Sequence, residues 1–228
     1  MQLKKITKGA SRVRRRYADA CGAAHALELI GERWALLVMR ELLLGPKRFS
    51  DLRADLPGIS ANILTQRLEQ LEAAGVLTRR RLPPPALAQV YELTPWGYES
   101  EPIIQALGRW ATRSPLHDPT LPLSTVSLML SFRTMLDPAR ARGVDARIGF
   151  RLGAETYLAR LRKGRLDVAR GDVNAADLVF TGTAPALAAA VYGGLSLKAL
   201  TAQGALSIEG DHALAEKFVT LFPLPPKA

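Results

Sequence analysis

The sequence holds one cysteine, Cys21, and three histidines, His25, His117 and His212. A single thiol excludes an internal disulfide framework and a multi-cysteine metal site. The histidines form no i,i+4 pair and have no accompanying carboxylate motif, so no metal ligand set is expected. No apolar run approaches the roughly 20 residues that a bilayer span needs, and the opening stretch MQLKKITKGASRVRRR lacks the apolar middle of a secretory signal. These absences predict a cytoplasmic protein without a membrane partner, nucleoid-associated if its partner is DNA. Catalytic signatures are equally scarce. There is no glycine-rich nucleotide loop and no Gly-x-Ser-x-Gly elbow, and Gly193-Gly194 reads as a helix stop rather than a phosphate cradle. Neither an enzyme nor a cofactor is expected.

What is present is a globular composition, 48% apolar and 23% charged over 228 residues, with a net charge of +10. That length accommodates one large domain or two of ordinary size. The positive balance favours a polyanionic partner, of which nucleic acid is the commonest. The charge is clustered. Lys4, Lys5, Lys8, Arg12 and Arg14 to Arg16 make a basic arm over residues 1–16, and Arg79, Arg80 and Arg81 form a second group.

The stretch from Phe49 to Leu93 carries the strongest pattern. A short amphipathic segment meets a Pro57-Gly58 break, Ser60 opens a second helix as its N-cap, and Gly75 closes it. An apolar and basic strand follows, then the proline-stiffened tip Pro83-Pro84-Pro85, then a return strand to Leu93. Helix, turn, helix and two-stranded wing is the order of a winged helix-turn-helix, and double-stranded DNA is its partner. Leu64, Leu68 and Leu71 fall on one face and predict the buried side. Asn62, Thr65 and Gln66 then point outward as the candidate base readers. Lys47, Arg48, Ser60, Arg67, Arg79, Arg80 and Arg81 are the candidate phosphate contacts. Ahead of the motif, Ala23, Ala24, Leu27 and Ile30, then Trp34, Leu37, Val38 and Leu42, recur at helical spacing and predict two core helices.

Thr94-Pro95 starts a further helix, in which Pro102 predicts a kink. Trp96, Ile103, Ile104, Leu107 and Trp110 form an apolar seam. Reading two half-sites on one DNA face calls for two copies, so this seam is the candidate homodimer contact. Pro115, Pro119 and Pro122 mark a linker over residues 115–122. Beyond it, alternating runs around Ile148 to Leu152, Tyr157 to Arg162, Leu166 to Val168 and Asp177 to Thr181 predict strands, and Thr183 and Asp211 predict helix caps. The fold class is therefore α+β, with a winged helix-turn-helix domain over 17–114 and a second α+β domain over 123–228. Arg147, Arg151, Arg160, Arg162, Lys163, Arg165 and Arg170 decorate the second domain, as a solvated face or as an anion-binding patch.

The matching stretches CGAAHALELIGERWALLVMRELLLGPKRFSDLRADLPGISANILTQRLEQLEAAGVLTRR and VYELTPWGYESEPIIQALGRWA resemble the HxlR family of winged-helix regulators, relatives of the MarR group. The resemblance implies a dimeric DNA-binding repressor or activator, with a recognition helix at Ser60 to Ala74 and a terminal helix pair at Trp96 to Thr112. It also places Cys21 where several members carry a redox-sensing cysteine. The stretch DLVFTGTAPALAAAVYGGLSLKALTAQGALSIEGDHALAEKF is similar to sterol-carrier-protein-2-type domains. That resemblance implies an apolar tunnel for a small hydrophobic ligand, and so an effector-sensing module.

The resulting expectation is a transcriptional regulator that binds an inverted repeat as a homodimer and responds to a small hydrophobic effector in its C-terminal domain. The alternative is a lipid-binding or scaffold protein whose winged helix contacts protein.

Overall fold

The computed structural model describes residues 17–84 and 87–228. The basic arm over 1–16, and Pro85 and Ala86 at the wing tip, lie outside the described residues.

Four helices lead into the wing: α1 (Gly22–Ile30), α2 (Ala35–Leu42), α3 (Phe49–Asp55) and α4 (Ala61–Ala73). Ser60 caps α4 as expected, its hydroxyl oxygen accepting from the Ile63 amide at 3.3 Å. Strands β1 (Leu77–Arg81) and β2 (Gln89–Leu93) pair antiparallel, with Leu77 opposite Leu93 and Arg81 opposite Gln89. Lys47 adds a one-residue third strand. Its amide donates to the Tyr91 carbonyl at 3.0 Å and its carbonyl accepts from the Tyr91 amide at 2.9 Å. Val38, Leu42, Leu52, Leu64, Leu68 and Leu71 close the core beneath the wing.

Two helical expectations need correction. Helix α1 has no fully buried residue and reaches the core through the partly buried Ile30, so of the two predicted core helices α2 supplies most of the core. Trp96 to Thr112 is not one helix kinked at Pro102. It is two helices, α5 (Pro95–Tyr98) and α6 (Glu101–Ala111), and Pro102 sits in the first turn of α6, where its missing amide leaves no carbonyl unpaired. The short α5 packs so tightly on the wing that a Cβ on Gly97 would stand 2.1 Å from the Val76 carbonyl oxygen.

Helix α7 (Thr125–Met135) opens the second domain, capped by Ser124, whose hydroxyl oxygen accepts from the Ser127 amide at 3.0 Å. Sheet order is β5-β4-β3-β6-β7, built from β3 (Asp145–Leu152), β4 (Glu155–Arg162), β5 (Arg165–Arg170), β6 (Leu178–Gly182) and β7 (Leu206–Gly210). Only β3 and β6 run parallel, joined through β4 and β5. The β4–β5 hairpin turns on Lys163 and Gly164, both at positive φ, as a two-residue hairpin demands. Helices α8 (Ala184–Val191), α9 (Leu197–Ala202) and α10 (His212–Val219) complete the α+β domain.

Five phenylalanines meet in the core of the second domain. Phe132, Phe150, Phe180, Phe218 and Phe222 are all fully buried, and they stack or tilt on one another at centroid distances of 4.6 to 6.0 Å. Such contacts make an aromatic centre for the domain's core.

Candidate nucleic-acid interface and the buried cluster behind it

Helix α4 separates its faces cleanly. Leu64, Leu68 and Leu71 are buried, while Asn62, Thr65 and Gln66 are exposed. The three polar residues share the side away from the core and project amide and hydroxyl groups of the kind that read base edges. Arg48, just before α3, is exposed. On β1 every residue after Leu77 is exposed, so Arg79, Arg80 and Arg81 stand in solvent beside α4. Arg79 lies across Glu72 of α4 at 2.6 Å and Arg80 pairs with Glu92. These are exposed ion pairs of small worth, which phosphate can displace.

Two predicted phosphate contacts are not at the surface. Arg67 is buried and donates to Glu32 at 3.0 Å and to Gln70, so its head is spent on tying the α1–α2 connection to α4. Lys47 is 3% exposed. Its bridge to Tyr91 turns the side chain inward, where the ammonium meets Glu41 at 3.2 Å, Glu155 at 3.4 Å and Asp55. The assignment of both residues to DNA is corrected, because each is committed to carboxylates or amide oxygen behind the interface.

Lys47 lies at the centre of a buried polar cluster that joins the two domains. Glu41 is fully buried on α2. It accepts from Arg40 at 2.8 Å, from Lys47, and from the Ser124 hydroxyl at 2.7 Å across the domain boundary. Arg170 donates to the Leu44 carbonyl at 3.0 Å and to Glu155 at 2.6 Å, and its guanidinium lies over the Tyr157 ring. Three carboxylates and three cations balance, which is the condition for keeping such charges out of water. Reasoning from sequence missed Glu41. The available signal was a carboxylate three residues after Val38 and adjacent to Leu42, on a helix face otherwise apolar.

Crowding also sets the titration. Burial, opposed by Lys47, raises the Asp55 pKa, with the Glu41 and Glu155 charges adding to the rise. Burial works against the Lys47 ammonium but is outweighed by Glu41, Asp55 and Glu155, so its pKa rises too. A carboxyl whose folded pKa is raised binds more protons when folded, so its contribution to stability falls as pH rises from 3.8 through the raised value. Thermal melts across that range should show the wild type losing stability relative to Asp55→Asn as pH rises. A constant difference would contradict this.

The dimer candidates divide. Trp96, Ile103, Leu107 and Trp110 are exposed, Trp110 at 73%, and α6 has no fully buried residue. Ile104 instead packs partly buried against the chain's own core. Cys21 is exposed at the N-terminus of α1, and the Ala24 and Ala23 amides lower its thiol pKa. In the second domain, Arg147, Arg151, Arg160 and Arg162 pair with Asp177, Glu209 and Asp145, which favours a solvated, self-neutralised face over an anion-binding patch. No group of three metal-ligating side chains occurs among the described residues, and no helix among them is long and apolar enough to cross a membrane.

Comparison with known proteins agrees with this architecture. Residues 29–117 match the HxlR-like helix-turn-helix family and residues 130–223 the SCP-2 sterol transfer family. The HTH-type transcriptional regulator YvaP of Bacillus subtilis is 37% identical over 87 residues, 38% of this chain and 81% of that protein. The HTH-type transcriptional regulator YodB of the same organism is 35% identical over 86 residues, 38% of this chain and 77% of that protein. The solved reduced form of YodB aligns with 44% of this chain and all of its own at 31% identity and a TM-score of 0.39. The chain therefore belongs to the HxlR-like helix-turn-helix family of transcriptional regulators, and its residues 130–223 match the SCP-2 sterol transfer family.

Proposed function

We propose that this protein regulates transcription by binding an inverted-repeat operator as a homodimer. The observation that carries the reading is α4: three polar side chains, Asn62, Thr65 and Gln66, exposed together on a helix whose opposite face is buried, with a basic strand beside them. In this reading α4 enters the major groove and those three side chains read base edges. Arg48, Ser60 and Arg79 to Arg81 hold phosphate, and the exposed seam of Trp96, Ile103, Leu107 and Trp110 pairs with a second copy. The working units are residues 17–114 for DNA and 123–228 for the appended domain. The protein acts in the cytoplasm at the nucleoid, and no catalytic step is assigned to it.

Gln66→Ala tests the base-reading assignment. Each base contact is worth about 1–3 kcal/mol of discrimination, so specific binding should weaken at least about fivefold with non-specific binding unchanged. Equal losses on both would make Gln66 a positioning contact. Arg81→Ala should instead weaken both alike and lower the salt slope by about one.

A further inference from the structure

The outward stripe of α4 does not end with the three polar residues already assigned. Asn62, Thr65, Gln66, Glu69 and Ala73 are all exposed, at the spacings i, i+3, i+4, i+7 and i+11 that keep one face of a helix. At about 100° per residue, Glu69 lies about 20° from Asn62 around the axis, between Thr65 and Gln66. A carboxylate therefore stands in the middle of the surface that approaches a polyanion, in a chain whose net charge is +10.

Contacts within the chain do not account for it. The neighbouring acids have cations of their own: Glu72, one turn on, takes the Arg79 guanidinium at 2.6 Å, and Glu92 takes Arg80. Glu69 has no hydrogen bond or ion pair among the described residues, although Arg79 feels its charge. On a DNA-facing surface an unpaired carboxylate repels phosphate, so a base must repay it with a donor. An ionised carboxylate only accepts hydrogen bonds. In the major groove guanine presents two acceptors and thymine an acceptor and a methyl group, while adenine sets its N7 acceptor beside its one amino group. Cytosine presents the N4 amino group with no acceptor on the same base.

We propose that Glu69 is a fourth base-reading residue of α4, accepting from the N4 amino group of a cytosine in the major groove. The step from Asn62 to Glu69 is about 10 Å along the helix axis, which places that cytosine about three base pairs from the base that Asn62 reads. Discrimination then comes from repulsion as well as attraction, because guanine or thymine at that position turns an acceptor toward the carboxylate. This assignment rests on the regulator reading above, in which α4 enters the major groove.

The probe is a duplex that the full wild-type chain selects from a random pool, with each half-site position then replaced by the other three base pairs and titrated by fluorescence anisotropy. At one position the wild type should prefer cytosine by at least about fivefold. Glu69→Ala should bind all four duplexes at that position alike, and Glu69→Gln should move the preference to adenine, whose N6 and N7 a side-chain amide matches. Glu69 is exposed, so both variants should melt near the wild-type temperature. A half-site without a cytosine preference, or one whose preference survives in Glu69→Ala, would overturn the proposal. So would an equal gain by Glu69→Ala on every duplex, the mark of a carboxylate that only repels phosphate. An unenriched pool overturns the regulator reading and this assignment together, whereas an enriched pool with unaltered preferences overturns this assignment alone.

Discussion

Lys47→Met should destabilise the protein by about 3–5 kcal/mol, the usual cost of leaving buried carboxylates without their cation. The side chain it removes is 3% exposed and bonded to Glu41, Asp55 and Glu155. Glu41 is fully buried, so its charge cannot relax into water when the ammonium leaves. Because the cluster spans both domains, the loss should appear in chemical denaturation as separation of one transition into two. A phosphate contact would behave otherwise, leaving stability unchanged and lowering the salt slope of DNA binding by about one. The buried assignment predicts an unchanged salt slope for the folded variant, and a lowered slope with unchanged stability would contradict it.

Replacing the α6 seam should have the second large effect. Ile103, Leu107 and Trp110 lie at i, i+4 and i+7 on a helix with no fully buried residue, while the other side of α6 is tied to α7 by Glu101 with Arg133 at 2.9 Å and by Arg109 with the Thr134 carbonyl at 3.1 Å. One face thus holds the second domain and the opposite face stays bare. Leu107→Glu combined with Trp110→Glu should convert a dimer to monomer in sedimentation at micromolar concentration. Operator affinity should then fall at least about a hundredfold, since the two half-sites no longer bind as one linked unit. A variant that remains dimeric would move the interface elsewhere.

The sequence showed the DNA-binding half more fully than its second domain. Period and punctuation carry over directly: Ser60 caps α4, Thr94 caps α5 by accepting from the Gly97 amide at 3.1 Å, and β1 pairs with β2 about a proline tip. Local chemistry specifies these features, so local reading finds them. Burial is a different matter. Lys47 and Arg48 are neighbours of like charge, yet one is buried and the other exposed, because Glu155 and Asp55 reach only Lys47. No local pattern contains that fact. Helix α7 escaped notice for a related reason. Val126, Leu128, Met129, Leu130 and Phe132 are buried around most of its circumference, so it shows no amphipathic stripe. The same limit explains α1, whose apolar residues predict a face to be covered without saying by what. In the second domain, the five phenylalanines of the aromatic core come from α7, β3, β6, α10 and the segment after α10, and their meeting is a tertiary event.

The most direct test of the central claim is selection of duplexes from a random pool by the full-length protein, followed by sequencing. The account predicts two inverted half-sites with centres about one helical turn, roughly 10 base pairs, or a multiple of it apart. Enrichment should vanish in the Asn62→Ala, Gln66→Ala double variant. A pool that emerges unenriched, or enriched in a single unrepeated site, would contradict it.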